Sequence, residues 1–209
     1  MTTIYVHALS DTPVMPWEED DGRRIESILV GGLFAVGERR ADTPAMTEAE
    51  LQRQHAIVQR IAEAAPAVLP ARFGSLVDES ELTAIVRQRS TAIAAAFALV
   101  RGNVQMTIRF AVAGPKAPSG VAASGREYLQ RRRDDLSPPL PAPGDRALRA
   151  VRAFVVDERR KATDVGRVAV FHLVRREDVT DYRAAIAEAA FPGMSVSGPF
   201  PPFAFAPEF

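Results

Sequence analysis

Residues 25–36 read IESILVGGLFAV, which is two apolar runs separated by Gly31 and Gly32. A two-residue glycine connection supplies the positive φ angles that a tight β-hairpin turn requires. A phosphate-binding loop would instead need G-x-G-x-x-G spacing with a helix directly after it, and neither is present. The stretch therefore predicts a β-hairpin, and with it an antiparallel sheet.

Two segments on either side of this hairpin can join the same sheet. Thr3–Leu9 is rich in β-branched and aromatic residues and ends at a Ser-Asp-Thr-Pro loop, so it predicts a first strand. Val68–Phe73 is long enough only for a short strand or an extended link. Its Pro70 favours a position at a sheet edge, because proline cannot donate to a ladder of hydrogen bonds.

The second half of the chain contains three more strand patterns. Val104–Val112 alternates apolar and polar residues, which predicts a half-buried strand with an exposed polar face. That predicted face carries Gln105, Thr107 and Arg109. Val168–Val174 is apolar on both faces, as is typical of an interior strand. Met194–Ser197 can add a last short strand.

Helices are indicated by capping residues and by apolar spacing. Thr47 and Glu50 form a capping box, and the helix that follows should end before Pro66. Its predicted buried stripe consists of Leu51, His55, Val58, Ala62 and Ala65. One long helix should then run from Asp78 to Gly102.

Three helices are predicted in the second half. A short helix is expected around 124–135, followed by a stiff proline-rich linker over 137–143. Asp145 can cap a helix with Leu148, Val151, Arg152 and Val155 on one side, and Thr180–Ala190 forms the last helix. The run Arg131-Arg132-Arg133 in the first of them is either a solvated face or a contact for phosphate or an acidic partner.

Together these elements predict an α+β protein of two α+β domains, each with an antiparallel sheet backed by helices. We expect an N-terminal domain over residues 1–101 and a C-terminal domain over 102–196 with a ferredoxin-like arrangement. A proline-aromatic tail over 197–209 should pack back across both domains.

Composition limits the possible functions. Twenty-six basic residues balance 26 acidic ones, so the chain as a whole has no net charge to attract nucleic acid or an anionic membrane. There is no cysteine, which excludes disulfides and thiolate chemistry. No apolar run is long enough to span a bilayer, and the first residues lack the pattern of a signal peptide. We expect a cytoplasmic protein with no membrane span and no nucleic-acid partner.

No catalytic, cofactor or metal site is predicted. The three histidines, His7, His55 and His172, lack the spacing of metal ligands, and no serine lies in a G-x-S-x-G elbow. His55 faces the predicted stripe and could meet Arg72 or a backbone carbonyl of the connector. It is therefore either a hydrogen-bonded structural histidine or one side of a pocket.

The tail has a composition of its own. Residues 197–205 read SGPFPPFAF, in which three prolines restrict the backbone and three rings, Phe200, Phe203 and Phe205, can each bury about 150–250 Å². The interleaved aromatics favour a packed segment. A disordered PxxP ligand is the competing interpretation.

Two blocks of sequence resemble the GvpL/GvpF gas-vesicle family. His55-x-x-Val58 followed by residues 68–75, VLPARFGS, resembles the family's H-x-x-V helix and L-P-x-R-F-G-T segment. The tail is similar to the family's terminal S-G-P-W-P-P-Y-S-F, with Phe200 and Phe203 in place of Trp and Tyr. Weaker similarities lie at 33–36, 124–129 and 168–175, in family order.

The resemblance implies a non-catalytic accessory protein of gas vesicle assembly, associated with gas vesicles. Its expected partners are the hydrophobic shell protein and other accessory proteins. We expect the partner-binding surface at Arg72, Phe73, Gln105, Thr107 and Arg109, and no cofactor or metal. The alternative is a small-molecule-binding or enzymatic α+β protein with a pocket near His55 and Arg72.

Overall fold

The hairpin predicted from Gly31 and Gly32 is present. In the computed structural model, which describes residues 3–111, 140, 142–164 and 167–207, β3 (Arg24–Val30) pairs antiparallel with β4 (Leu33–Arg39). Both turn glycines have positive φ, 59° and 92°. The prediction of an antiparallel sheet at this point is confirmed.

The hairpin belongs to a six-stranded sheet that includes the predicted first strand. β1 (Thr3–Ser10) pairs antiparallel with β4, with β5 (Val68–Pro70) and with β6 (Leu76–Asp78). β2 (Trp17–Glu18) pairs with β3 at the other end, so the order is β2-β3-β4-β1-β5 with β6 also on β1. Pro70 therefore lies on an edge strand, as predicted.

Helix α1 (Glu48–Ala64) begins at Thr47, whose side chain accepts a hydrogen bond from the Glu50 amide. The cap is as predicted, but of the predicted stripe only Val58 and Ala65 are buried. The buried residues within α1 are Gln54, Ile57, Val58 and Ile61. Leu51 and His55 are exposed, because the buried face is turned by about one residue from the predicted one.

The predicted long helix is divided in two. α2 (Glu79–Gln88) and α3 (Ser90–Val100) are separated by Arg89, which is the C-cap of the first and the N-cap of the second. Ser90 and Thr91 stand at the start of α3, and both are weak helix formers because their hydroxyls compete for backbone hydrogen bonds. The capping of α2 by Asp78, which accepts from the Ser80 amide, agrees with the prediction.

The second sheet contains β7 (Asn103–Ala111), β8 (Val155–Asp164), β9 (Arg167–Arg175) and β10 (Met194–Phe200), in the order β10-β7-β9-β8. α4 (Ala142–Val151) precedes β8, and α5 (Val179–Glu188) lies between β9 and β10. Residues of β7, β9, α4 and α5 share one hydrophobic core. The position of β9 inside the sheet is as predicted, and the ferredoxin-like label stays a prediction.

Three predictions in this half need correction or lie outside the described residues. The helix capped by Asp145 starts earlier, at Ala142, and Pro143 lies in its first turn, where a missing amide hydrogen costs nothing. Val155 is not on that helix but begins β8, a strand that the sequence analysis missed. The segments 112–139 fall outside the described residues, and with them the predicted short helix and the arginine run.

The chain divides into two compact units, Met1–Asn103 with Phe200–Phe209, and Val104–Pro199. The tail segment from Phe200 groups with the first unit, where Pro201, Pro202 and Phe205 are buried. The tail segment therefore packs on the first unit. The wider domain assignment, with packing on both domains, stays a prediction.

Candidate functional site: the connector, helix α1 and the tail

Arg72 and Phe73 lie on the connector between β5 and β6, in the first unit. Backbone bonds hold this connector at both ends: the Ala71 amide donates to the His7 carbonyl at 2.9 Å, and the Val6 amide donates to the Ser75 carbonyl at 2.8 Å. The Ser75 hydroxyl donates to the Arg72 carbonyl at 2.8 Å. Arg72 is exposed and Phe73 is half-buried, so a fixed loop presents the guanidinium at the surface.

Side chains from β1 and α1 anchor the same connector from inside. The Tyr5 hydroxyl donates to Gln54 Oε1 at 2.5 Å and accepts from the Gly74 amide at 3.1 Å. Gln54 Nε2 donates to the Ala71 carbonyl at 3.2 Å. The Phe73 ring meets the Tyr5 ring edge-on at 6.3 Å. Each buried polar atom in this set has a partner, which fixes the connector against the sheet.

A buried carboxylate lies beside this anchor. Glu38 is 1% exposed and accepts a bidentate pair of bonds from Arg53, at 3.1 and 3.0 Å. Arg40 donates to it at 3.2 Å, and Arg23 Nη1 lies 3.7 Å from it. Burial opposes ionisation of Glu38, but Arg53 and the other cations outweigh it and lower its pKa below the ordinary value.

His7 lies at the centre of this charge cluster. It occupies the β-bulge of β1, where the pairing with β4 shifts between Val6 and Ala8. It is fully buried, and among the residues that the structure describes neither ring nitrogen has a hydrogen-bond partner. Burial, together with the arginines around Glu38, lowers the pKa of His7 to about 4. The imidazole is therefore neutral at pH 7.

The outer face of α1 holds the tail. The His55 ring contacts Phe200 edge-on at 5.5 Å and stacks on Phe203 at 6.1 Å with an angle of 20° between the planes. Phe205, at 1% exposure, is the buried anchor of the three predicted tail residues. His55 is exposed on α1, so its predicted place in the buried stripe is wrong.

An apolar surface remains open where α1 and the tail meet. Phe203 is 37% exposed while it stacks on His55, and Leu51, one helical turn before His55, is 44% exposed. Below, Leu51, His55 and Phe203 are called the α1–tail surface. Because α1 and the buried Phe205 fix its base, this surface can contact a hydrophobic partner with little loss of conformational entropy.

The other predicted site residues lie on β7 in the second unit. Gln105 and Thr107 are 4% and 2% exposed, so the predicted exposed polar face is wrong for both. Gln105 Nε2 donates to Thr107 Oγ1 at 3.2 Å, so these two buried side chains bond to each other. Arg109 is exposed and donates to Ser197 Oγ at 3.0 Å.

A hydrogen-bonded triad in the second unit was missed by the sequence analysis. His172 Nε2 lies 3.0 Å from Glu158 Oε2, and its Nδ1 lies 2.9 Å from the Tyr182 hydroxyl. The bond from His172, with Arg160 adding to it, lowers the pKa of Glu158 to about 2, while burial raises that of Tyr182. His172 and Tyr182 are fully buried, so Glu158 is the one member of the triad that reaches the surface.

Two features are absent from the described part of the chain. No group of three or more His, Asp or Glu residues there is arranged to hold a metal ion. Within the same residues, no helix is both long and apolar enough to cross a membrane.

Comparisons with known proteins agree with the resemblance seen in the sequence. The chain is similar in fold to gas vesicle protein GvpF from Microcystis aeruginosa, with a TM-score of 0.73, 15% identity, and coverage of 99% of this chain and 100% of that one. For GvpF from Anabaena sp. PCC7120 the TM-score is 0.72 at 12% identity, with 99% of each chain covered. No curated protein matches the sequence.

The family model described as gas vesicle synthesis protein GvpL/GvpF matches residues 3–207. This match includes the connector, α1 and the tail from which the resemblance was first inferred. Because it spans almost the whole sequence, the chain belongs to the GvpL/GvpF family of gas vesicle synthesis proteins.

Proposed function

We propose that this protein is a non-catalytic accessory protein of gas vesicle assembly that binds the hydrophobic shell protein and other accessory proteins. Family membership gives it a role in gas vesicle formation. We further propose that it works in the cytoplasm, in association with gas vesicles. Binding without catalysis is supported by the kind of surface it offers, which is apolar and rigid.

The α1–tail surface is the observation that carries this proposal. Leu51 is exposed one helical turn before His55, and the partly exposed Phe203 stacks on the His55 ring. An apolar segment of a partner can bury these side chains, and burial of apolar area contributes about 25 cal/mol per Å². The exposed Arg72 and Arg109 are proposed as polar contacts for the partner, and the half-buried Phe73 beside Arg72 as an apolar one. Gln105 and Thr107 are not, because they are buried.

The alternative of an enzymatic or ligand-binding pocket near His55 and Arg72 lacks support in this geometry. The two rings of Phe200 and Phe203 occupy the space around the His55 ring. A pocket residue would instead face open volume with other donors converging on it. The contacts of His55 therefore favour a structural and binding role.

A complementation experiment tests the proposal. In a vesicle-forming host that lacks this protein and any paralogue, the wild-type gene should restore vesicles, whereas Leu51→Gln and Phe203→Ser should restore fewer. Leu29→Gln is the matched control, because Leu29 is also exposed, at 64%, but lies on β3. Vesicles that form normally without the protein would overturn the proposed role. Full activity of both variants would overturn the proposed surface.

A further inference from the structure

The outer edge of β8 differs from the other sheet edges in the described residues. β2 has two residues, β5 and β6 have three each, and β10 contains Gly198 and Pro199. Short edges, edge prolines, β-bulges and charged side chains are the usual ways in which proteins prevent strands from pairing with other chains. β8 ends the order β10-β7-β9-β8, is ten residues long and contains neither glycine nor proline. Its two register irregularities lie outside Asp157–Ala162, so the charged side chains are what protects the regular stretch between them.

The charges along β8 are ordered rather than mixed. Residues 155–164 read VVDERRKATD, so two acidic residues precede three basic ones. The register with β9 sets Asp157 opposite Leu173 and Glu158 opposite His172, and therefore assigns these two acids to opposite faces of the sheet. Asp157, Arg159 and Lys161 share one face, and Glu158 and Arg160 share the other.

We propose that β8 binds the β8 strand of a second copy of this chain, antiparallel, across a two-fold axis at Arg159. Residues directly opposite each other in an antiparallel pair lie on the same face of the sheet. When both strands are copies of β8, the numbers of two opposite residues must therefore differ by an even amount. With the axis at Arg159, Asp157 lies opposite Lys161 and Glu158 lies opposite Arg160. The two-fold symmetry repeats both pairs, so four opposite-charge pairs form across the interface.

Other ways of pairing two β8 strands are less favourable. An axis at Glu158 places the two Glu158 carboxylates opposite each other and leaves Arg160 facing Val156. Parallel pairing in register sets every charge against its own copy. In the proposed register only the two Arg159 side chains have like charge opposite each other. The order of charges thus selects a second copy in one register, while it discourages apolar partners.

Single charge reversals on the face away from His172 test the proposal. Asp157→Lys sets two Lys–Lys pairs in the homodimer, and Lys161→Asp sets two Asp–Asp pairs. Each should weaken dimerisation by about tenfold or more. An equimolar mixture of the two variants restores Asp–Lys at both positions, so it should form a heterodimer. Sedimentation measurements over a concentration series, at low and high salt, follow these equilibria.

The outcomes separate the proposal from its alternatives. The wild-type dimer should weaken as salt screens the charge pairs. Glu188→Lys is the matched control. It changes the charge as Asp157→Lys does, but Glu188 is an exposed residue of α5, so dimerisation should stay intact. A wild-type chain that is monomeric at its highest soluble concentration would overturn the proposal. A dimer that both reversals leave unchanged would do so too, since it would use another surface.

A cysteine at the axis gives a second, independent test. The chain has no cysteine, so Arg159→Cys introduces a single thiol. Cβ atoms directly opposite each other in an antiparallel pair lie about 4.5–5.5 Å apart, close to the range of a disulfide. Mild oxidation should convert Arg159→Cys to a disulfide-linked dimer much faster than Glu188→Cys. Equal rates for the two variants would contradict a two-fold axis at residue 159.

Discussion

The His55 ring stacks on the Phe203 ring, with centroids 6.1 Å apart and 20° between the planes. In the same helix turn, about 100° around the helix axis, Gln54 donates to the carbonyl of Ala71 on the connector. Two adjacent residues of α1 therefore hold the two segments that carry the family resemblance. The connector and the tail thus both pack on one helix.

Substitutions of two tail phenylalanines should have unequal effects on stability. Phe205 is 1% exposed, so Phe205→Ala should lower the free energy of unfolding by about 3–5 kcal/mol. Phe203 is partly exposed and its main contact is His55, so Phe203→Ala should cost about 0.5–1.5 kcal/mol. Thermal and urea unfolding of the full chain measure both. Equal small losses would show that the tail is not packed in solution.

Gln54 should contribute more to the stability of the protein than a polar residue on a helix usually does. Gln54→Leu removes the acceptor of the Tyr5 hydroxyl and a donor to the Ala71 carbonyl, and each buried hydrogen-bonding group that loses its partner costs about 1–3 kcal/mol. Gln52→Leu makes the same change on the exposed face and should stay within about 0.5 kcal/mol of wild type.

Hydrogen exchange adds a local readout to that comparison. The Gly74 amide donates to the Tyr5 hydroxyl, which Gln54 positions, so this amide should exchange faster in Gln54→Leu. If Gln52→Leu and Gln54→Leu have the same stability and the same exchange at Gly74, the anchoring role of Gln54 is wrong.

Sequence alone predicts those parts of the fold in which local chemistry decides the structure. The Gly31–Gly32 turn, the Thr47 cap and the apolar β9 strand were predicted for that reason. β8 was missed because its charged sequence shows neither strand alternation nor an apolar run, and what makes it a strand is its pairing with β9. The charged residues are compatible with a strand because β8 is the outermost one.

The candidate site was less accessible to sequence reasoning, since it depends on distant contacts. The helical stripe that contains Leu51 and His55 is apolar enough to suggest burial. Gln54 is buried instead, because Tyr5, 49 residues away in sequence, supplies its hydrogen bond. The His172–Glu158 pair needs the β8–β9 register, which was unknown once β8 was missed. Alternation placed Gln105 and Thr107 on a polar face, but nothing local shows that they bond to each other.

Gly37 should not tolerate even one added carbon. It lies on β4 opposite the bulged part of β1, and a Cβ built on it would be 2.3 Å from the Tyr5 carbonyl oxygen. Gly37→Ala forces two backbones apart and should cost about 1–3 kcal/mol or more. Gly22→Ala is the control, because no atom lies within 4 Å of a Cβ there and only its positive φ opposes the change. A smaller loss for Gly37→Ala than for Gly22→Ala would contradict the close approach of β1 and β4.

The stability of the first unit should fall as the pH is lowered from about 6.5 towards 4. The pKa of His7 is about 4 in the folded protein, mainly because burial opposes its charge, whereas an unfolded histidine titrates near 6.5. Between these two values the unfolded chain binds more protons than the folded one, so the free energy of unfolding decreases with falling pH. The free energy of unfolding should fall by about 3 kcal/mol in total between about pH 6.5 and about pH 4.

Urea unfolding at a series of pH values from about 7 down to about 5 measures this slope above the range in which carboxylates titrate. His7→Gln, which keeps a buried polar side chain without a titrating group, should be less stable at pH 7 but nearly flat over the same series. His55→Gln leaves His7 in place, so it should retain the part of the slope that His7 causes. If His7→Gln shows the full wild-type slope, then His7 is not the group that limits stability in mild acid.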